Sequence, residues 1–171
     1  YDRLLRHIAG NHLEGVISAH NMAMSDTEGA ANLIERPDNS GASRIGSDAE
    51  GIPITVTTMD AFCRAHAVER FDALKIDVEG AEASVLQGMD FTRFRPWVVL
   101  VEATEPSSTV RTDAAYEGLL LGQRYRRAYF DGLNAYYVAE EHAGLAEALA
   151  IPPNVFDRYV SARQHALAGQ V

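Results

Sequence analysis

Residues 74–82 read LKIDVEGAE and place one cation and three carboxylates where an apolar strand is followed by a helix. Side chains alternate along a strand, so Lys75 and Asp77 share one face, roughly 6.5–7 Å apart. Asp77 is also at the carboxyl end of its strand, where α/β proteins bind their ligands. Glu79 and Glu82 are predicted to fall in the first turn of the helix, where the dipole favours negative charge. The stretch therefore combines groups that can move a proton or hold a cation.

Two interpretations of these charges follow from the residues. A lysine inside an apolar strand is costly unless it is paired, and Asp77 is the nearest candidate partner of Lys75. A structural ion pair with helix-stabilising glutamates is one interpretation, and an active site is the other, because buried pairs also occur in active sites. The apolar run WVVLVEA at 97–103 carries another carboxylate, Glu102, near its end. Two strands that end in carboxylates favour the active site.

The acids suit two kinds of chemistry. A hydroxyl group is a poor nucleophile near neutral pH, so a positioned carboxylate that accepts its proton would assist a transfer to oxygen. Asp77, Glu79 and Glu102 also offer the oxygen ligands that Mg²⁺ prefers. The spacing does not distinguish these two uses, and we assign no metal to the site.

Strands and helices alternate around these residues and indicate an α/β sheet, mainly parallel, with an antiparallel edge. The segment 15–26 is predicted to be a strand that runs into a polar turn at Ser25-Asp26. Further predicted strands are 30–35, 97–103 and a hairpin over 125–139 with Asp131-Gly132 at its turn. The predicted helices include one over about 108–121 and a last one that begins at Asn154. Residues 36–51 are rich in Gly, Ser, Asp and Asn and are predicted to form a long mobile loop.

The composition is that of a soluble globular protein with about one domain. The 171 residues are 47% hydrophobic and 23% charged, and they suffice for a sizeable core. The net charge of −9 argues against a nucleic-acid partner, because phosphate backbones are bound by an excess of Lys and Arg. A single cysteine, Cys63, fits a reducing compartment such as the cytoplasm. The longest strongly apolar run, 97–101, is too short to cross a bilayer.

Longer stretches around the acids resemble a known family. DALKIDVEGAEASVLQGM followed by RPWVVLVEATEP is similar to the core of the FkbM family of methyltransferases. NMAMSDTEG and TTMDAF resemble its flanking segments, and YFDGLNAYYVAEEH resembles members found in glycan biosynthesis. The resemblance implies a Rossmann-like methyltransferase sheet, mainly parallel with a C-terminal antiparallel hairpin. It also implies methyl transfer from S-adenosylmethionine to a hydroxyl group of a sugar, glycolipid or polyketide.

The matching positions imply roles for individual residues. Asp77 lies beside the expected place of the sulfonium and the acceptor, Glu102 lies on the acceptor side, and Ser25 and Asp26 lie on the adenine side. The candidate catalytic residues are Asp77, Glu102 and Lys75. The candidate cofactor-binding residues are Ser25, Asp26 and Asp77. The candidate acceptor-binding residues are Glu79 and Glu102, and the expected partner is a small-molecule or glycan acceptor.

One part of the family pattern is missing from the sequence. Nothing resembles the Gly-rich turn that wraps S-adenosylmethionine, nor the acidic residue that holds its ribose. Residues 1–171 are therefore expected to form a single methyltransferase-like domain that lacks its first two strands and is inactive by itself. Two alternatives stay open. One is a non-catalytic interaction module on the same fold, and the other is a metal-dependent transferase or hydrolase that uses Asp77, Glu79 and Glu102.

Overall fold

The computed structural model describes residues 1–34, 43–46, 51–106, 108–151 and 160, in which helices and strands alternate. The helices are α1 (Asp2–Gly10), α2 (Met59–Ala65), α3 (Glu82–Gln87), α4 (Glu117–Gly122) and α5 (Gly144–Leu149). The strands are β1 (Met22–Met24), β2 (Gly29–Ile34), β3 (Arg44–Gly46), β4 (Ile52–Thr57), β5 (Ala73–Ile76), β6 (Val98–Glu102), β7 (Tyr125–Phe130) and β8 (Asn134–Ala139). In the described ranges, every helix is too short or too polar to cross a membrane.

The strands form two four-stranded sheets, with the orders β1-β4-β2-β3 and β5-β6-β8-β7. Of the six strand pairs in the described residues, β1–β4 and β5–β6 are parallel and the other four are antiparallel. The class is therefore mixed α/β, and the prediction of a mainly parallel sheet is wrong for this part of the chain. For β7 and β8 the short turn between them is the cause, because it leaves no length for a crossover. That hairpin confirms the prediction for 125–139.

The second sheet separates an apolar core from a polar face. Its core face consists of almost fully buried side chains, namely Ile76, Val99, Val101, Ala135 and Tyr137. Helix α3 contributes Val85 and Leu86 to the same core. Because side chains alternate, the strand register puts a second set on the other face, namely Lys75, Leu100, Glu102, Asn134 and Tyr136. The candidate site lies on this second face.

The strand predicted over 15–26 is much shorter than expected. Strand β1 covers three residues of it. The backbone N–H groups of Val16 and Ile17 both donate to the carbonyl oxygen of Leu13, at 2.9 and 2.8 Å. These donors close a turn and are not available to a sheet.

The helix predicted over 108–121 is wrong in its first half, since α4 begins at Glu117. Arg111 forms an antiparallel bridge with Thr104 instead. The N–H group of Thr112 donates to the carbonyl oxygen of Ala103 at 2.9 Å. Backbone groups that are used between two segments cannot also form a helix, so regular helical bonding is delayed.

The loop predicted over 36–51 is partly replaced by a strand. Arg44–Gly46 form β3, which pairs with β2 in antiparallel orientation. Residues 36–42 and 47–50 lie outside the described residues, as does the start of the helix predicted at Asn154. The prediction of a long loop is therefore corrected for its middle segment.

Candidate active site

The turn between β5 and α3 has an uncommon backbone conformation. Glu79 has a φ of 53° and Gly80 a φ of 101°, both in the left-handed region. Glycine adopts this region freely, whereas a residue with a Cβ loses about 1–2 kcal/mol there. Glu82 closes the turn, because its Oε1 accepts hydrogen bonds from the N–H groups of Val78 and Gly80, at 3.3 and 3.0 Å.

The structure thus separates the roles of the two glutamates in LKIDVEGAE. Glu82 is the first residue of α3 and is only 5% exposed, so its carboxylate is a structural part of the turn. Glu79 precedes the helix, and the prediction that it lies in the first helical turn is wrong. The positive φ of Gly80 is the physical reason, because helical geometry cannot pass through it.

Lys75 and Asp77 form the predicted ion pair. Lys75 Nζ lies 2.8 Å from Asp77 Oδ2, and each side chain is 47% exposed. The same ammonium donates to Oδ1 of Asn134 at 3.2 Å. The lysine is therefore half-exposed rather than buried, and two of its three N–H donors are used by neighbours.

Three carboxylates meet where β5 and β6 end. One oxygen from each of Asp77, Glu79 and Glu102 lies within 4.8 Å of the others, and we call these residues the acid cluster. Burial raises the pKa of Glu102 to about 7, with further contributions from the charges of Asp77 and Glu79 and from a hydrogen bond to Asp77. Glu102 therefore gains or loses its proton near neutral pH, as a general acid–base group should.

Strand pairing and hydrogen bonds on both sides fix the backbone at Glu102. Strand β6 lies between β5 and β8, and Glu102 is paired with Asn134. The buried hydroxyl of Tyr116 donates to the carbonyl oxygen of Glu102 at 3.0 Å. The N–H group of Ala103 donates to the carbonyl oxygen of Leu133 at 2.8 Å. These contacts limit the reorganisation that proton transfer would otherwise require.

Ser25 and Asp26 are not brought together with the acid cluster. The Ser25 hydroxyl donates to Asp26 Oδ1 at 3.0 Å, and its N–H donates to Thr57 at 2.9 Å. A Cβ at Gly88 would collide with the carbonyl oxygen of Ser25, so the pair lies against the C-terminal end of α3. The acid cluster lies at the other end of that helix, beyond Glu82. Cofactor binding by Ser25 and Asp26 stays a prediction.

A cavity lies beside Asp26 and is separate from the acid cluster. Its volume is about 350 Å³. Its lining residues are Asp26, Thr58, Asp60, Arg64, Gln87, Gly88, Met89 and Asp90. Asp77 and Glu102 are not among them. We therefore locate the candidate site by the acid cluster and not by this cavity.

Asn134 is a site residue that the sequence did not reveal. The sequence indicated only that the turn chemistry of Asp131-Gly132 would be followed by a strand. The antiparallel register places Asn134 opposite Glu102, and its side chain reaches Lys75 across the sheet. The local signal was an amide beside a predicted turn, which is too common to single out a site.

The acid cluster and Lys75 together carry three carboxylates and one ammonium. Such an excess of negative charge can complement a cation, either a sulfonium or a divalent metal ion. Acids that face one another at the carboxyl end of a parallel strand pair are typical of α/β enzymes. The fold and the site thus define a mixed α/β domain with a cluster of carboxylates at the carboxyl ends of β5 and β6.

Residues 1–145 match the methyltransferase FkbM domain, and the chain belongs to this family. Neither a curated protein nor a solved structure matches the chain. The resemblance in LKIDVEGAE and its surroundings is thereby confirmed, and the chain is a methyltransferase domain. Methyltransferases of this family generally use S-adenosylmethionine.

Proposed function

We propose that this domain transfers a methyl group from S-adenosylmethionine to a hydroxyl group of a sugar, glycolipid or polyketide. The observation that carries the proposal is the contact between Asp77 and Glu102 in a chain of this methyltransferase family. The proposal takes the sheet β5-β6-β8-β7 as part of a Rossmann-like methyltransferase sheet. The acceptor is expected to approach the carboxyl ends of β5 and β6.

The proposed chemistry assigns the proton to the carboxylates. Glu102 is buried, which makes its ionisation costly, whereas Asp77 is half-exposed. Lys75 supports the charge of Asp77 at 2.8 Å. Glu102 accepts the proton of the acceptor hydroxyl once pH exceeds its pKa of about 7. Glu79, beside both, orients the acceptor through further hydrogen bonds.

The negative charge of the acid cluster suits the proposed cofactor. S-adenosylmethionine, when bound, supplies an electrophilic methyl group on a positively charged sulfur. The acid cluster offers opposite charge to such a cation, and Asp77 is the member expected nearest to it. Ser25 and Asp26 are proposed to contact the adenine side.

A metal-dependent reaction is the second candidate function. The mutual approach of three carboxylate oxygens within 4.8 Å favours it, because Mg²⁺ is bound through such oxygens. In that case Asp77, Glu79 and Glu102 would hold the ion, and the acids would orient the acceptor through it.

Calorimetry of the complete protein with S-adenosylhomocysteine, in EDTA and in Mg²⁺, separates these functions. Binding in EDTA together with methyl transfer from radiolabelled S-adenosylmethionine to a glycan pool is expected. Transfer that requires Mg²⁺ would favour the metal-dependent candidate. A folded protein that binds no S-adenosylhomocysteine under either condition would contradict the proposal and favour a non-catalytic interaction module.

A further inference from the structure

The side chain of Asn134 connects the hairpin turn to the Lys75–Asp77 pair. Its Nδ2 donates to Asp131 Oδ2 at 3.1 Å, and its Oδ1 accepts from Lys75 Nζ at 3.2 Å. Lys75 in turn contacts Asp77 at 2.8 Å. A continuous line of polar contacts therefore runs from the β7–β8 turn to the acid cluster.

The orientation of the Asn134 amide is determined by its two neighbours. An ammonium can only donate and a carboxylate can only accept, so Oδ1 must face Lys75 and Nδ2 must face Asp131. Burial opposes the ionisation of Asp131, but hydrogen bonds from Asn134, Leu133 and Tyr136 outweigh it and lower its pKa. Asp131 thus stays a charged anchor, and no other arrangement of the amide satisfies both partners.

Lys75 needs such an anchor. Its side chain is half-exposed and has a flexible stem of four carbons. An exposed Lys–Asp pair by itself adds little to the stability of the fold and holds the ammonium only weakly. A second acceptor on the far side of the ammonium restricts its motion. With Lys75 held between Asn134 and Asp77, the Asp77 carboxylate keeps its direction toward Glu102.

We propose that Asn134 is a positioning residue that holds the Lys75 ammonium against Asp77 from the β7–β8 turn. The catalytic meaning of this role rests on the proposed function, but the contact itself does not. Asn134 does not touch the acceptor in this proposal and acts through Lys75.

A single measurement on the ammonium group tests the proposal. Lys75 is the only lysine among the 171 residues, so ¹⁵N-lysine labelling gives one side-chain ammonium signal, assigned with Lys75→Arg. We expect its NMR order parameter to fall below about 0.6, the level of flexible groups, in Asn134→Ala and in Asn134→Leu. The second variant keeps the branched shape and the number of side-chain heavy atoms without a polar atom.

Tyr136→Phe is the matched control. It removes another side-chain hydrogen bond to Asp131 Oδ2, at 2.9 Å, without touching Lys75. The ammonium order parameter should therefore stay at the wild-type value. All variants keep the backbone bonds of residues 133 and 134 to Asp131 Oδ1, at 2.8 and 2.6 Å, so the turn is expected to persist.

The measurement needs neither cofactor nor acceptor. An order parameter that is unchanged in both Asn134 variants, or equally reduced in Tyr136→Phe, would overturn the positioning role. Failure of methyl transfer as the activity would appear separately, as absence of S-adenosylhomocysteine binding and of methyl transfer in the folded wild-type protein. The two failures are therefore distinguishable.

Discussion

Two charged groups of side chains at the second sheet differ in their balance. The arginine cluster joins Arg111 and Arg127 to Asp113 and Glu117, two cations to two acids. The acid cluster sets three carboxylates against the single ammonium of Lys75. The four charges of the first add to zero, whereas the four of the second, with every acid ionised, add to two negative charges.

The balanced cluster is a structural device. Asp113 is 6% exposed and accepts hydrogen bonds from both guanidinium groups. The Arg111 guanidinium also stacks over Phe130, 3.8 Å from the ring centroid. Every charge in this cluster has an opposite partner, and together they tie the segment before α4 to β7.

The acid cluster holds Glu79 and Glu102 beside the Lys75–Asp77 pair. Burial of Glu102, and then the charges of Asp77 and Glu79, raise the pKa of Glu102 to about 7. Like charges that are held together lower stability, and such arrangements are concentrated at functional sites. The comparison teaches that charge balance, rather than the number of charged residues, distinguishes a structural network from a reactive one.

The largest expected effect is on the unbalanced cluster. In the complete enzyme, Asp77→Asn preserves shape but removes the charge and most of the basicity, so turnover should fall by about 10²-fold or more. The Tm should change little, because the pair with Lys75 is half-exposed. Steady-state kinetics and a thermal scan check both. Full activity would remove Asp77 from the catalytic residues. Loss of the fold would instead show that the Lys75–Asp77 pair is structural, like the ion pairs of the arginine cluster.

Asp113→Asn should reverse this pattern in the balanced cluster. The substitution leaves two guanidinium groups facing a neutral amide, and we expect a loss of about 2–3 kcal/mol in the free energy of unfolding. Their partial exposure, 37% and 31%, allows water to compensate some of the loss. Urea denaturation measures it. Turnover per folded molecule should be unchanged, and a specific kinetic defect would contradict the structural role.

Glu102→Gln tests the cost of the unbalanced charge. The folded state raises the pKa of Glu102 from 4.5 to about 7, so it binds this proton more tightly than the unfolded chain does. The resulting stability is fully present below pH 4.5 and is lost as pH rises through about 7. Glutamine resembles the protonated acid, so the variant should gain roughly 3–6 °C in Tm at pH 8, about 1–2 kcal/mol.

The same variant supplies its own control at acidic pH. At pH 4 the Tm of Glu102→Gln should equal that of the wild type, because both carry a neutral group. Thermal scans at the two pH values make the test. An equal shift at both would show that packing, rather than charge, separates the variant from the wild type.

The smallest effect concerns the one cation of the unbalanced cluster. Lys75→Met should lower the free energy of unfolding by only about 0.2–1 kcal/mol, because the ion pair is half-exposed. The difference should shrink in 1 M salt, where charges are screened within about 3 Å. Urea titrations at low and high salt provide the measurement. A loss that is larger and independent of salt would show that the Lys75–Asp77 pair behaves like the ion pairs of the buried Asp113.

Local patterns in the sequence were sufficient for several features. The alternation in LKID placed Lys75 and Asp77 together, and Asp131-Gly132 predicted the turn of the C-terminal hairpin. These features involve residues that are close in the chain, where the strand period and turn preferences act directly. The family was also recognisable from LKIDVEGAE and its flanking segments.

Only the tertiary structure decided which distant groups meet. The approach of Glu102 to Asp77, the link from Asn134 to Lys75 and the position of Ser25 against Gly88 depend on strand register and helix packing. The antiparallel majority of strand pairs and the late start of α4 at Glu117 likewise follow from bonds between separate segments. A backbone N–H or carbonyl looks the same in the sequence whichever segment it will pair with. Pairing is determined by the free energy of the whole fold. The sequence alone therefore identified the acids but not the distant residues that each of them contacts.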